Sequence, residues 1–395
     1  MKKKLLVSIL AIMMIATFSL SACGGGGSST GGDTPAAGGD APAAGGSGEP
    51  VTLTVTYFGP DVIPPSRGLT YTAKRVEELS GGSLKFDLHL GGNLVAWADQ
   101  ITATSAGTVD IAAVDMGNIS PVFDLNKIFT RPTDTMLPDR KTMADIYKKL
   151  MHEIPEINQE LIDVAGIRWI TLGNNGSYAL HLADDITSAE PSIVNNKVID
   201  VMGDMAGFIA KHGASTVSLD PSDYYIDLEK GTINGQFNLW GSVLGFKVYE
   251  VTKSHVIFGP ELPDHPYNGG GLWQPGFGYV INNATWESLS KEHQDILVEA
   301  FDDGFEEWLA LDVPDEDTVW KEVNDRGHTI KYTDEATFAK WAEPVKAIND
   351  AWIKECEDKG LPAQKAFDML QDEISKAMAN GFPDDRANIR PIMSE

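Results

Sequence analysis

Two short patterns in the sequence approach known catalytic or metal-binding spacings. Residues 288–291 read Ser-Leu-Ser-Lys, the S-x-x-K spacing of penicillin-recognising enzymes, but no Lys-Thr-Gly or Ser-Asp-Asn motif accompanies it, so Ser290 is predicted to cap a helix. His255, Asp264 and His265 are the nearest approach to a metal-ligand set, yet they are irregularly spaced in a loop rich in glycine and proline. The spacing Gly-x-Ser-x-Gly occurs only at residues 27–31, in the Gly/Ser-rich segment after Cys23 where no strand precedes it, and no Gly-Lys-Ser/Thr motif occurs. We therefore expect no catalytic residue, no metal and no cofactor.

Charge and cysteine content exclude further classes of function. Acidic residues outnumber basic ones 57 to 31 in the 395-residue chain, which gives a formal net charge of −26. Such a surface repels phosphates and anionic lipid headgroups, so we expect no binding to nucleic acid and no membrane binding through a basic patch. The only cysteines are Cys23 and Cys356, too few for a disulfide framework or a cysteine-rich zinc site. The lysine and glutamates around Cys356 give no reason to expect a reactive thiolate.

The N-terminal end has the composition of an export signal. Three lysines precede the apolar run Leu5–Phe18, which is too short to span a membrane comfortably. The run ends at Cys23 in the sequence Leu-Ser-Ala-Cys, which resembles the bacterial lipobox. We predict that residues 1–22 are a signal peptide and that residues 23–50 are a lipidated cysteine followed by a flexible tether of Gly, Ala, Ser, Thr and Pro. The protein is then exported and lipid-anchored to the outer face of the cytoplasmic membrane.

From Val51 onward the sequence alternates between strand and helix patterns, which predicts open, largely parallel sheets covered by helices. The predicted strands are Val51–Tyr57, Leu84–Leu90, Val109–Val114, Ile167–Leu172, Lys197–Met202 and Thr232–Phe237. The predicted helices are Pro65–Leu79, Trp97–Ser105, Thr142–Val164, Asp204–His212, Ser222–Lys230 and Gln294–Leu311. Two such series in tandem predict two lobes.

Six segments, in this order and spacing, resemble the extracytoplasmic solute-binding proteins of tripartite ATP-independent periplasmic (TRAP) transporters, the DctP-like group. They are Glu77–Gly82, Leu90–Leu94, Gly107–Ile111, Lys211–Ser215, Gly231–Asn238 and Trp286–Ser290. The resemblance implies an α/β, two-lobed, periplasmic-binding-protein-like fold. Each lobe would be a mixed, mostly parallel sheet with flanking helices, and the lobes would be joined by crossing strands and a long helix. We place lobe 1 at residues 51–176 plus 265–303 and lobe 2 at 177–264 plus 304–395, with hinges near Leu172–Tyr178 and Pro263–Gly271.

The resemblance also implies a function. Members of this family capture one small solute between the lobes and deliver it to TRAP membrane subunits, and we expect a monomer that does the same. Two alternatives remain open from the sequence. The same fold can serve a membrane signalling receptor as its ligand-sensing partner, or the chain is a secreted enzyme.

The expected ligand site departs from the family pattern at one position. The family usually holds a ligand carboxylate with an arginine near the start of a strand in the second lobe, but the matching stretch, Lys197–Gly203, has Ile199 or Asp200 there. If Arg67 faces the cleft, the resemblance favours an organic acid; if it faces solvent, the acidic and aromatic residues favour a neutral or amine-bearing ligand. The predicted ligand-binding residues are Tyr57, Phe58, Arg67, Trp97, Asp115, Asn174, Asn175, Tyr178, Asp200, Asn238, Trp240 and Trp273.

Overall fold

The strands of the protein form two separate sheets in a computed structural model that describes residues 49–119, 121–174, 176–261, 271–379, 381, 389 and 391–392. The strands are β1 (Val51–Thr56), β2 (Leu84–His89), β3 (Ile111–Asp115), β4 (Ile167–Asn174), β5 (Ala179–Leu182), β6 (Val198–Asp200), β7 (Ser215–Val217), β8 (Gly235–Asn238), β9 (Ser254–Ile257), β10 (Gly276–Asn282) and β11 (Thr329–Tyr332).

Helices flank both sheets. They are α1 (Pro64–Leu79), α2 (Gln100–Ser105), α3 (Met116–Ile119), α4 (Arg140–Glu153), α5 (Glu156–Ala165), α6 (Met205–Lys211), α7 (Tyr224–Glu229), α8 (Trp240–Gly245), α9 (Asn283–Ser288), α10 (Lys291–Asp325), α11 (Glu335–Ala342), α12 (Val345–Asp358) and α13 (Ala363–Met378). Short 3₁₀ helices cover Trp97–Asp99, Leu125–Thr130, Pro191–Val194, Pro221–Asp223 and Val248–Glu250. Within the described residues no helix is long and apolar enough to cross a bilayer.

The strand order of the two sheets confirms the two-lobed fold. The first sheet has the order β2-β1-β3-β10-β4 and the second β11-β9-β5-β8-β6-β7, and five of the nine described pairings are parallel. The chain passes from β4 in the first sheet to β5 in the second, and returns from β9 to β10. These two passages are the crossing connections that the family resemblance implied. We call the first sheet and its helices the first lobe, and the second sheet and its helices the second lobe.

The long helix α10 packs on both lobes. It contacts α1 and β4 in the first lobe and α8 in the second. Its predicted apolar stripe, which includes Phe301 and Trp308, is buried in the core of the first lobe. The helix continues beyond the predicted end at Leu311 and passes through Pro314, which has no N–H to donate to the carbonyl of Ala310.

The crossing of α1 and α10 depends on two glycines. A Cβ at Gly304 would lie 1.8 Å from the Thr72 hydroxyl, and a Cβ at Gly68 would lie 2.7 Å from the Cβ of Trp308. Both distances are shorter than any real contact between a Cβ and a heavy atom. The two helices therefore approach more closely than side chains at these positions would allow.

Other features differ from the prediction. The predicted helix Thr142–Val164 is two helices, α4 and α5, because Pro155 interrupts the backbone ladder after Ile154. The sequence patterns also predicted no strand at β5, β7, β9, β10 or β11. The prediction placed residues 304–395 in the second lobe, but Trp352 on α12 and Leu370 on α13 pack in the core of the first lobe.

Candidate functional site

A cavity lies where the ends of strands from both sheets approach α10. From the first lobe, Tyr57 directly after β1 and Asp115 at the end of β3 face it; from the second, Asn238 at the end of β8 does so. The space inside the cavity is small, about 50 Å³ for the centres of water-sized molecules, and it is partly open to solvent. We call this space the interlobe cavity; its lining includes Tyr57, Phe58, Asp115, Tyr178, Met202, Tyr224, Asn238, Phe246, Phe277 and Asp312.

Asp115 is a buried carboxylate held in a fixed orientation. Its Oδ1 accepts hydrogen bonds from the backbone N–H groups of Gly117 (2.8 Å) and Asn118 (3.1 Å), and its Oδ2 accepts one from Trp97 Nε1 (2.9 Å). Burial raises the pKa of this carboxyl above its ordinary value, while the three donors act in the opposite direction. The position of Asp115 therefore does not depend on a ligand.

The second carboxylate of the wall, Asp312, belongs to a buried charge cluster. Arg140, which is 2% exposed, has Nη1 3.4 Å from Asp312 Oδ2 and Nη2 2.7 Å from Glu316 Oε2. One guanidinium thus faces two carboxylates one helical turn apart on α10. The cluster therefore connects the first residue of α4 to α10 through ion pairs.

A third acidic residue, Asp200, lies behind the wall. It is 4% exposed, and its Oδ1 accepts the backbone N–H of Leu219 at 3.0 Å. Burial raises the pKa of this carboxyl to about 7, and the hydrogen bond from Leu219 opposes that shift. Asp200 is therefore not part of the described lining of the cavity.

Three histidines form a line behind Asn238, which we call the histidine chain. Nε2 of His181 is 3.1 Å from the carbonyl oxygen of Asn238, and Nδ1 of His181 is 2.8 Å from Nδ1 of His255. Nε2 of His255 is in turn 2.9 Å from Nδ1 of His328. The Trp240 ring packs against both His181 and His255. In the described part of the chain, no group of three or more histidine, cysteine or acidic side chains has a geometry that could hold a metal ion.

The sequence model of the family described as bacterial extracellular solute-binding protein, family 7 (DctP) matches residues 60–355. The chain belongs to this family. Its members act outside the cytoplasm. A solute-binding protein from Chromohalobacter salexigens is 22% identical over 303 residues, which are 75% of this chain and 83% of that protein.

Solved structures of TRAP solute-binding proteins share the fold of this DctP-family chain. One from Rhodoferax ferrireducens T118, with copurified benzoate, superposes with a TM-score of 0.71 at 18% identity and covers 84% of this chain and 99% of its own. One from Chromohalobacter salexigens, with bound D-glucuronate, gives 0.68 at 20% identity, with 81% and 99% covered. One from Desulfovibrio salexigens, with bound orotic acid, gives 0.70 at 18% identity, with 82% and 99% covered.

The structure brings five of the predicted ligand-binding residues of this family member to the cavity wall. They are Tyr57, Phe58, Asp115, Tyr178 and Asn238. Trp97 lines a neighbouring hollow together with Phe58 and reaches the cavity through its hydrogen bond to Asp115. The five lining residues share one property, because each lies within two residues of the end of a strand.

Other predicted residues lie elsewhere. Arg67 faces a separate surface hollow beside α10, where its Nη2 is 2.7 Å from Asp315 Oδ2. Asn174 is buried at the end of β4, where its Nδ2 donates to the Arg140 carbonyl at 2.6 Å. Trp240 packs on the histidine chain, and Trp273 is fully buried with its Nε1 donating to the carbonyl of Thr130. Asn175 and Cys23 lie outside the described residues.

The sequence analysis missed several lining residues, among them Asp312, Phe277 and Tyr224. Asp312 lies one residue beyond the predicted end of its helix, because the helix continues past the apolar stripe and through Pro314. Phe277 lies on β10, whose two glycines weaken the strand pattern. Tyr224 lies on the predicted helix Ser222–Lys230, where only the phase of the helix distinguishes it from its exposed neighbours.

Proposed function

We propose that this protein is the extracytoplasmic solute-binding subunit of a TRAP-type secondary transporter, which takes up one small solute in the interlobe cavity and delivers it to the membrane subunits. The observation that carries the proposal is the composition of the cavity wall. Tyr57 and Asp115 come from the first lobe, Tyr178 and Asn238 from the second, and Asp312 from the helix that packs on both. A solute there contacts both lobes at once.

Such contact couples binding to closure. A ligand shifts the balance between open and closed lobes only by its greater affinity for the closed arrangement. We place one hinge at Leu172–Tyr178, between β4 and β5. The other, Pro263–Gly271, falls on the return passage from β9 to β10, and residues 263–270 are outside the described residues. Closure would join surfaces of both lobes into one face for the membrane subunits.

We further propose that the protein has no enzymatic activity, needs no cofactor and acts as a monomer. The state of two potentially reactive groups supports the absence of enzymatic activity. Ser290 Oγ is occupied as a helix cap, since it accepts the His293 N–H at 3.1 Å, as the sequence predicted. Burial raises the pKa of the Cys356 thiol to about 12, so the thiolate is absent at neutral pH.

The anchor at Cys23 is part of the proposal. Removal of residues 1–22 and lipidation of Cys23 would hold the protein at the outer face of the membrane, on the tether of residues 23–50. Mass spectrometry of the N-terminal peptide from native membranes is expected to find a diacylglyceryl cysteine. An unmodified cysteine, or a chain that starts at Met1, would contradict the anchor.

Solute capture is tested by binding and closure together. Pools of organic acids, amines, amino acids and sugars are screened for a rise in the unfolding temperature, which a ligand at 100 times its Kd produces through about 2.7 kcal/mol of stabilisation. Small-angle scattering with the positive solute is expected to show a smaller radius of gyration. Tyr224→Phe, in the cavity wall, should weaken binding, whereas the neighbouring Tyr225→Phe should not. Stabilisation without compaction would contradict the closure mechanism.

Delivery is tested in proteoliposomes that hold the TRAP membrane subunits of the same cell. Uptake of the identified solute is expected only when the protein is added from outside. Uptake that does not depend on the protein would show that another subunit captures the solute.

A further inference from the structure

The interlobe cavity is lined by carboxylates and aromatic rings, which suit the binding of a cation. Resting on the proposed function, we infer that its solute carries a positively charged nitrogen, held by Asp115 and Asp312 among aromatic rings. The relatives with bound benzoate, D-glucuronate and orotic acid hold carboxylic acids. The ligand of this chain therefore differs from theirs in the sign of its charge.

The first argument is the charge of the wall. Two carboxylates, Asp115 and Asp312, line the cavity, and its described lining includes no lysine, arginine or histidine. Arg140 lies beside Asp312 but faces Glu316 as well, so one guanidinium is shared between two carboxylates. A carboxylate placed in the cavity would meet like charge in a region of low dielectric, which opposes binding.

The second argument is the position of Arg67, the residue that would have reversed this conclusion. Its guanidinium pairs with Asp315 and lines the hollow that also contains Lys74 and Arg75, on a different surface from the cavity. The position that the family resemblance assigns to an arginine holds Ile199 or Asp200, and both side chains are buried. No cation from either place reaches a solute in the cavity.

The third argument is the aromatic wall. The rings are Tyr57, Phe58, Tyr178, Tyr224, Phe246 and Phe277. The Tyr57 ring centroid is 4.7 Å from that of Phe58 and 5.9 Å from that of Phe277, so these three form one continuous surface. The face of an aromatic ring attracts a cation, most strongly when water is excluded, and a ring combined with a carboxylate is well suited to an ammonium group.

The fourth argument is preorganisation. Asp115 is fixed by three N–H donors before any ligand arrives. A carboxylate can accept about four hydrogen bonds, so capacity for one ligand N–H remains. The ammonium group would then meet an acceptor whose orientation needs no further ordering, and a quaternary nitrogen would rely on charge and ring faces alone.

The test compares the sign of charge directly. The full-length protein is screened by thermal shift, then by calorimetry, against pools of natural amines, quaternary ammonium compounds and zwitterions, and against pools of carboxylic acids matched to them in size. We expect stabilisation by members of the first set only. If only acids bind, the charge inference is overturned while the solute-binding function stands. If no pool binds, both proposals are overturned.

Variants locate the effect. With the best cationic ligand, Asp115→Asn is expected to weaken binding at least tenfold, whereas Asp163→Asn, an exposed control on α5, leaves it unchanged. Asp312→Asn removes one of the two carboxylates that Arg140 faces. The variant should therefore bind the cationic ligand more weakly and the matched acid more tightly. This reversal distinguishes lost charge from a damaged fold. Unchanged affinity in both cavity variants, at wild-type circular dichroism, overturns the inference.

Discussion

Nδ1 of His181 lies 2.8 Å from Nδ1 of His255, on neighbouring strands of the second sheet. One imidazole must donate and the other accept, so the contact is compatible with neutral rings and not with two charged ones. Burial lowers the pKa of His181 to about 4 and lowers that of His255 well below its ordinary value. The contact thus depends on pH.

The first prediction is a loss of stability in mild acid. A lowered pKa means that the unfolded chain binds more protons than the folded one, so the free energy of unfolding is unaffected well above pH 6.5 and falls as the pH drops toward 4. Each such histidine contributes a slope of about 1.4 kcal/mol per pH unit inside that window. Urea unfolding at several pH values between 7.5 and 5 measures this slope. His181→Gln should have a shallower slope than wild type; an equal slope would show that other groups cause the acid sensitivity.

The second prediction concerns Asp200 and has the opposite sign. Its pKa is raised, so the folded chain binds the extra proton, and stability present below about pH 4 is lost as the pH rises through 7. Asp200→Asn keeps an oxygen for the Leu219 N–H and carries no charge. The variant should match wild type near pH 4 and exceed it at pH 8, by an amount on the order of a few kcal/mol. Unfolding curves at both pH values decide; a variant less stable than wild type at pH 8 would contradict the buried charge.

The third prediction tests the crossing of α1 and α10. Gly304→Ala puts a methyl group onto the Thr72 hydroxyl and should destabilise the protein by about 1–3 kcal/mol. Gly207→Ala is the matched control, because a Cβ there meets nothing within 4 Å in the short helix α6. That control should be neutral or stabilising by about 0.5–1 kcal/mol. Equal effects of the two alanines on the unfolding midpoint would disprove the close approach.

The fourth prediction compares two arginines. Arg140→Met leaves Asp312 and Glu316 buried without their shared cation and should destabilise by about 3–5 kcal/mol. Arg67→Met removes a pair whose arginine is 37% exposed and should change stability by at most about 1 kcal/mol. Adding Glu316→Gln to Arg140→Met should recover part of the loss. Denaturant titration of the four proteins gives the comparison, and no recovery in the double variant would show that packing of Arg140 dominates.

Sequence patterns predicted the parts of the fold that repeat a simple period. The strand patterns predicted that Tyr57 and Asp115 lie at strand ends, the family resemblance indicated Asn238, and all three line the interlobe cavity. The stripe on α10 follows from the period of a helix in the same way.

The rest depends on contacts that no local pattern records. Trp240 and Trp273 resemble ligand contacts in sequence, but their rings fill the core, because a tryptophan beside a strand end can turn to either side. Gly278 weakens the pattern of β10, yet it is needed there, since a Cβ would lie 2.4 Å from the Thr171 carbonyl oxygen of the adjacent strand. The long helix continues through Pro314 because tertiary packing outweighs the missing hydrogen bond.

The position of β10 sets the order in which the chain can fold. This strand lies between β3 and β4 in the first sheet, and its Phe277 pairs with Asp115, although 162 residues separate the two (277 minus 115). An N-terminal portion of the chain that has already emerged from the ribosome therefore lacks the strand that closes its own sheet. Contacts of such long range form slowly. The first lobe therefore stays incomplete until the residues of β10, and so most of the chain, have been synthesised.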